Sequence, residues 1–532
     1  MTEVMEQTPP ALHGPSEKER KYDRQLRLWA ASGQSALESA HILLVNSGCG
    51  TVGIETLKNL VLPGIGKFTI ADEAIVSDSD LGVNFFLDES SRGRSRAECC
   101  TELLLELNPE VEGHWWPEPN ASSTFDGFLQ TSEPFTTIMY SMPISPERLR
   151  LLQEYGKEHQ TPLVAIHSVG FYGYFSVSLP GTFPIVDTHP DETATTDLRL
   201  LSPWPELSEF AKEMTKNIDT MDNHEHGHLP LVVILLHYLD KWKQSHDGAY
   251  PIAYQDKIAF RNMVSDAMRR DNPEGGEENF EEAVGAVMKH VVKPDLPGTL
   301  KQVFECSHPD SQEARSSFWI IADAVRQFYE KNDRLPVTGS LPDMKALSTV
   351  YIKLQNIYKE KARRDAAEVL DLVRSAQGGE DVDPAEVEQF CSNARFIKLI
   401  NGADVGVKSL AQVTEQELGN DEVAAIAGPE MPFSLIPIYL ALTSTSHTGT
   451  ATAKDIMASI TERVPAAAGK ERILQAAEEV ARSGGNELHN ISAVIGGMVA
   501  QEMIKIITKQ YIPIDNVCIF DGIDSRCQVA RL

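Results

Sequence analysis

The sequence predicts an α/β protein, a Rossmann-like domain split by a large, mainly helical insert. Three observations predict it. An apolar run from His41 to Val45 leads into Gly48, Gly50 and Gly53 in G-x-G-x-x-G spacing, the pattern of a buried parallel strand that turns into a helix at a phosphate-sized loop. Lys67-Phe-Thr-Ile-Ala-Asp72 then reads as a second strand ending in an acid, at about the offset where such folds hold a ribose hydroxyl. Finally, the apolar pattern changes twice along the chain: strands alternate with helices from His41 to about Leu179, helical periodicity dominates from about Pro190 to Gly484, and a helix and a strand return after Gly485.

Each element has its reason. Strands are expected over 41–46, 67–72, 111–116, 135–141 and 162–178, with helices near 51–61, 91–107 and 146–159. Gly48 permits the tight turn, Gly50 lets backbone approach a phosphate, and Gly53 lets the 51–61 helix lie close on the sheet. Asp72 is placed to accept a ribose hydroxyl. In the middle, apolar positions at helical spacing mark helices over 230–246, 254–270, 277–291, 316–332, 344–376, 383–399 and 470–482, interrupted by polar breaks at Pro273 to Glu278 and Gly378 to Asp383. A helix from Asn490 to about Lys509, carrying Gly496 and Gly497 for close approach to the sheet or to a partner, precedes a strand at Val517 to Asp521. The expected domains are 1–180, an insert over 181–484, and 485–532 completing the first part.

Composition narrows the function classes. With 532 residues and 42% hydrophobic content, the chain can fill more than one core. A net charge of −29 argues against nucleic acid as a partner and suits a basic protein surface. There is no run of 18 apolar residues, and Met1 to Lys21 is polar, so neither a membrane span nor a secretory signal is expected, and the cytoplasm and nucleus are the expected compartments. Seven cysteines, at 49, 99, 100, 306, 391, 518 and 527, form no C-x-x-C pair, which fits reduced thiols and no structural zinc.

Other segments invite chemistry. Tyr22, Leu26 and Trp29 form an apolar stripe on a helix, with Arg24 and Arg27 on another face. His224, His226 and His228 alternate and could ligate a metal from a strand, but a polar loop ahead of the helix that Pro230 opens is the simpler expectation, and no metal is expected. Cys306 beside His308 could mimic a Cys/His pair, and Cys391 falls on an amphipathic helix where a small buried side chain is expected.

Tyr22-Asp-Arg-Gln-Leu-Arg-Leu-Trp29, the glycine motif, and Gly93-Arg-Ser-Arg-Ala97 before a helix ending in Leu107-Asn-Pro109 together resemble the adenylation domain of enzymes that activate ubiquitin and ubiquitin-like proteins, a ThiF-type fold. Those enzymes pair two such domains, one active and one degenerate. The active half carries D-x-D, S-N-L-x-R-Q and G-x-x-K-A motifs and a later aspartate, which hold ATP and Mg²⁺. Here Asp72 stands for the first acid, but Ala74 replaces the second. Asp80 and Val83 replace the asparagine and arginine of the next motif, Arg96 replaces the lysine, and no aspartate lies between Tyr140 and Pro146. An apolar Val83 and an added acid oppose the charge that develops in adenylyl transfer. The resemblance therefore implies a degenerate pocket at Gly48, Gly50, Gly53 and Asp72, with no tightly bound cofactor.

One branch of the family is matched almost end to end: the regulatory, non-catalytic subunits of the heterodimeric neddylation-activating enzymes. Gly82-Val-Asn-Phe-Phe86, Leu163-Val-Ala-Ile-His167, Gly170-Phe-Tyr-Gly173, Leu488-His-Asn-Ile-Ser492 and Gln501-Glu-Met-Ile-Lys-Ile-Ile-Thr508 carry the likeness. The corresponding SUMO-pathway subunits are shorter and lack the large helical insert. The resemblance implies a heterodimer with a catalytic subunit, whose site holds ATP and Mg²⁺, with the ubiquitin-like modifier and a conjugating enzyme as further partners. It implies an insert shaped like a catalytic-cysteine domain without its nucleophile, and an Arg24 that reaches in trans to the partner's nucleotide phosphates. Two alternatives stand beside it. One is an NAD(P)-dependent oxidoreductase using Gly48, Gly50, Gly53 and Asp72, which leaves Tyr22 to Trp29 and Gly93 to Ala97 without a role. The other is a self-sufficient activating enzyme, which Val83 and the missing aspartate disfavour.

Overall fold

The computed structural model describes residues 16–118, 124–191, 197–270, 276–293, 295–306, 316–401, 408–428 and 431–532. The chain forms two compact units, one from Met1–Phe183 with Ile400–Leu532 and one from Pro184–Leu399.

The first unit is built on an eight-stranded sheet. Its strands are β1 (His41–Val45), β2 (Lys67–Ala71), β3 (Glu112–Trp116), β4 (Thr137–Ser141), β5 (Leu163–Val169) and β6 (Tyr172–Ser178). Two short strands, β7 (Thr182–Val186) and β8 (Ile397–Asn401), pair with each other where the chain leaves and re-enters, and β9 (Val517–Asp521) and β10 (Arg526–Ala530) complete the large sheet in the order β10-β9-β6-β5-β4-β1-β2-β3. β3, β2, β1, β4 and β5 run parallel, the strand order of a doubly wound nucleotide-binding half. β6, β9 and β10 add antiparallel pairs on one side. Helices cover both faces of the parallel part, so β1 and β4 read as near-continuous apolar runs.

The single strand expected over 162–178 is a hairpin. Gly170, at φ 57°, turns the chain so that Leu163 pairs with Ser178 and Val169 with Tyr172. Unbroken β-forming sequence on both sides of one glycine hides such a turn.

The helix His489–Thr508 is long and apolar enough by composition to cross a membrane. In this fold it packs against the Thr51–Val61 helix. A Cβ on Gly496 would meet Glu55 Cβ at 2.8 Å and the Thr56 nitrogen at 2.9 Å, whereas one on Gly497 would meet nothing within 4 Å. Among the described residues, only the first of the two glycines is therefore required by close packing. The N-terminal helix Asp23–Glu38 breaks at Trp29 and Ala30, where Ala30 takes φ 55°. Tyr22 and Trp29 are buried, and the Tyr22 hydroxyl accepts from Asn108 Nδ2 at 3.1 Å.

The insert ends earlier than expected. Helices Leu410–Ala427, Ile436–Thr443, Ala453–Arg463 and Glu471–Ser483 do not belong to it; their apolar sides form one core with Val169, Tyr174, Val517 and Ile519 of the sheet. The insert is thus Pro184–Leu399, not 181–484. Helical periodicity identifies an apolar face but not the surface that face will cover, and here four amphipathic helices cover the antiparallel extension of the sheet.

The second unit has two cores. One surrounds the helix Leu231–Ser245, whose first six residues are all buried; the other surrounds Ser317–Asn332. The 27-residue helix Ser348–Arg374 joins them, giving Leu354 and Tyr358 to the first and Ala366, Val369 and Val373 to the second. The helix expected over 383–399 stops at Ser392, and its β-branched tail enters β8. His224, His226 and His228 do not form a plain loop: Asn223–His226 is a short helix capped by Asp222, and His226 turns inward to Glu277 at 2.7 Å. The three imidazoles therefore do not converge.

Candidate nucleotide pocket

In an open sheet of this order, ligands bind beyond the carboxyl ends of the strands where the winding reverses, which here is between β1 and β4. The chain leaving β1 is fixed there by Ser47, whose backbone N–H donates to Ser141 Oγ at 2.8 Å and whose hydroxyl donates to the Pro143 carbonyl at 2.6 Å. Gly48 and Gly50 then take φ 61° and 65°, left-handed values that favour glycine. Gly53 lies against Leu44, where a Cβ would come within 2.8 Å of Cδ1. The glycine loop is therefore formed as a nucleotide fold forms it, and the Thr51–Val61 helix points its N-terminus at the crevice.

The pocket is filled by the chain itself. Asp72, 2% exposed, has both carboxylate oxygens engaged: Oδ2 accepts from Arg96 Nε at 2.7 Å and from Asn46 Nδ2 at 3.0 Å, and Oδ1 from the Ala74 N–H at 2.9 Å. The expected ribose acceptor is thus already occupied. Arg96, 3% exposed, also donates through Nη1 to the carbonyls of Gly48 and Cys49 at 2.8 and 3.0 Å and to Asp80 Oδ1 at 2.8 Å. Burial opposes its charge, but the Asp72 and Asp80 carboxylates hold the guanidinium above its usual value. For Asp80, burial is outweighed by hydrogen bonds from Ser77 and the Arg96 charge, which lower its carboxyl. The acid that replaces the family's asparagine and the arginine that replaces its lysine are therefore two halves of one buried ion pair. Removing either partner of such a pair typically costs about 3–5 kcal/mol.

The helix N-terminus is also taken. Glu487, 4% exposed, places Oε2 at 2.8 Å from the Val52 N–H and 2.6 Å from Ser492 Oγ, the position where the helix dipole and free amides would hold a phosphate. Burial pushes its carboxyl up, against these hydrogen bonds. Sequence reasoning missed Glu487. The only signal was an acid between Gly484-Gly485 and the apolar helix that follows, and nothing local to it points across to the first βα turn. The residues present do not fit a nucleotide: phosphate would have to expel Glu487, and ribose would have to expel Arg96.

Other site residues sit apart. Val83 offers its carbonyl to His489 Nδ1 at 3.0 Å, and Phe85, 71% exposed, stacks on the same imidazole with centroids 3.6 Å apart. Arg27 pairs with Asp23 at 2.9 Å. Arg24 is exposed, and no hydrogen bond or ion pair holds it among the described residues. In the second unit, Cys391 is 2% exposed and burial raises its thiol well above the usual range, which disfavours the nucleophilic thiolate. Cys306 follows the Gly298–Glu305 helix, and its neighbour His308 lies outside the described residues.

A glycine loop on a doubly wound sheet, closed by the chain's own C-terminal helix, defines an adenylation-type fold, and the ThiF family model matches residues 22–532. The chain belongs to the ThiF family. It is 35% identical over 552 residues to the NEDD8-activating enzyme E1 regulatory subunit of Gallus gallus, covering 97% of this chain and 98% of that protein. The protein of the same name from Xenopus laevis is 34% identical over 545 residues, covering 95% and 97%. The Arabidopsis thaliana NEDD8-activating enzyme E1 regulatory subunit AXR1 is 31% identical over 542 residues, covering 97% of each chain.

Proposed function

We propose that this chain is the regulatory subunit of a NEDD8-activating enzyme and does not adenylate by itself. It pairs with a catalytic subunit whose own site holds ATP and Mg²⁺. The pair activates the C-terminus of the ubiquitin-like modifier and passes it as a thioester to a conjugating enzyme. The observation that carries this reading is the self-filled pocket: Glu487 occupies the phosphate position and Arg96 the acid that would take ribose, in a chain that aligns over nearly its whole length with regulatory subunits. The same engagement of Asp72 speaks against a dinucleotide-dependent oxidoreductase.

The surface supports a partner. Leu28, Phe85 and Val494 are exposed, on or beside the N-terminal helix and the His489–Thr508 helix, which pack on each other. Arg24, without a hydrogen-bond or ion-pair partner among the described residues, suits a nucleotide bound in the other subunit, where a guanidinium fork fits phosphate oxygens. The test is modifier-dependent exchange of pyrophosphate into ATP. The isolated chain is expected to give none and the mixture with a catalytic subunit robust exchange; robust exchange by the pure chain would overturn the proposal.

A further inference from the structure

The helical unit carries a basic groove that the adenylation chemistry does not use. The groove has a volume of about 670 Å³, with Leu335 and Val337 among its lining residues. Five cations line it, Arg199, Lys212, Lys243, Arg334 and Lys361, against the acids Asp240 and Asp365. This is the reverse of the chain as a whole, whose net charge is −29.

Two of the five are already matched. Lys361 is paired with Asp365, which also accepts from the Val337 N–H at 3.0 Å, and Arg199 lies 3.3 Å from Asp197. The other three have no ion-pair partner among the described residues. They come from three separate elements: Lys212 from the helix Pro205–Thr215, Lys243 from the helix Leu231–Ser245, and Arg334 from the loop after Ser317–Asn332. Among the described residues, the Arg334 side chain hydrogen-bonds to the Ser202 carbonyl, at 3.4 Å. Burial and the like charges of Arg334 and Arg395 lower the Arg199 guanidinium, partly offset by Asp197 and Asp365. Cations gathered in one groove repel one another, and an anion seated among them relieves that repulsion.

We propose that this groove binds a compact polyphosphate anion through Lys212, Lys243 and Arg334. Aromatic faces decide against a nucleotide. Lys243 covers the Tyr250 ring at 4.8 Å, and Trp204 is buried with its ring edge-to-face against Tyr358 at 5.0 Å. With one face of Tyr250 taken by Lys243 and Trp204 packed on Tyr358, the cations rather than ring faces carry the recognition, which rests on the phosphates. The site belongs to the helical unit and is independent of the regulatory-subunit reading.

The test is calorimetric titration of the full chain at physiological salt with inorganic tripolyphosphate and, separately, inositol hexakisphosphate, which distinguishes a linear from a ring-borne source. One-to-one binding tighter than about 100 µM is expected for at least one probe. Lys212→Gln and Arg334→Gln are each expected to weaken it about fivefold to tenfold, with Lys301→Gln, at an exposed lysine elsewhere, as the unaffected control. Lys212 is exposed, so its substitution leaves the fold intact. As a readout needing no variant, bound probe is expected to slow hydrogen exchange at the amides of Arg334, Leu335 and Val337. Three results would each overturn the proposal: no binding of either probe at about 1 mM, binding undiminished when Lys212→Gln and Arg334→Gln are combined, or tighter binding of a poly-glutamate peptide than of both phosphates.

Discussion

Asp72 and Arg96 show how a residue's role depends on what reaches it. An acid after the second strand is the feature by which a ribose site is recognised in sequence, yet in the fold both of its oxygens are held. Glu487 extends the lesson, because its folded carboxyl is raised by burial above the ordinary value of 4.5. A raised acid favours the folded state below its unfolded value, and that contribution is lost as pH rises through the folded value. Glu487→Gln, whose carbonyl can still accept from Val52 and Ser492, is therefore expected to melt progressively higher than the wild type as pH rises from the ordinary carboxylate range toward neutrality. A melting difference that is flat or shrinks with pH would show that the carboxylate is comfortably ionised there. Arg24 makes the opposite prediction. Arg24→Ala is expected to change stability by no more than about 0.5 kcal/mol, to leave heterodimer assembly intact, and to slow single-turnover adenylate formation about tenfold or more. Arg27→Ala, at a residue paired within its own helix, serves as the control, and equal rates for wild type and Arg24→Ala would end the trans role.

The parallel strands and their helices were legible because each carries its own period and punctuation: the apolar run of β1, the glycines after it, and Ser145-Pro146 opening the helix after β4. Elements bounded by subtler devices were not. Gly170 splits one apparent strand into two, and Ile397 to Asn401 leaves a helical stretch for a strand because its partner, β7, lies far away in sequence. The glycine pair in the His489–Thr508 helix was legible as a close-approach signal but not by residue, since only Gly496 is pressed on a neighbour. Overpacking such a contact costs about 1–3 kcal/mol. Gly496→Leu is thus expected to lower the melting temperature of the isolated chain, while Gly497→Leu leaves it unchanged and weakens heterodimer formation. Equal melting losses in both variants, measured by calorimetry, would show that Gly497 also faces packed protein.

Across the whole molecule, the division into an adenylation-type domain and a helical insert was legible from the switch in periodicity, but the second boundary was not. The helices over 410–483 carry the same amphipathic pattern as those of the insert, and only the sheet face they cover tells them apart. The candidate site was legible in its glycines and Asp72, and opaque in Glu487, which joins the pocket from the far end of the chain. In the second unit Cys391 lies buried among apolar side chains, a poor setting for a thioester nucleophile. Cys306→Ala and Cys391→Ala are expected to leave modifier thioester formation by the complex intact on a non-reducing gel, and loss of the band with either change would restore a catalytic role to this chain.

The pairing of β6 with β9, Tyr172 beside Asp521, has a consequence for biosynthesis. Translation delivers β1 to β6 early and the helical unit next, and that unit has cores of its own on which to close. The outer edge of β6 meanwhile stays bare until Val517 to Asp521 has left the ribosome. Unpaired edges and open apolar faces are where nascent chains stick to one another, and closing so long a loop is slow. A ribosome that stalls before Val517 therefore releases a chain whose insert is finished but whose sheet is still open, a natural client for chaperones and a natural target for degradation.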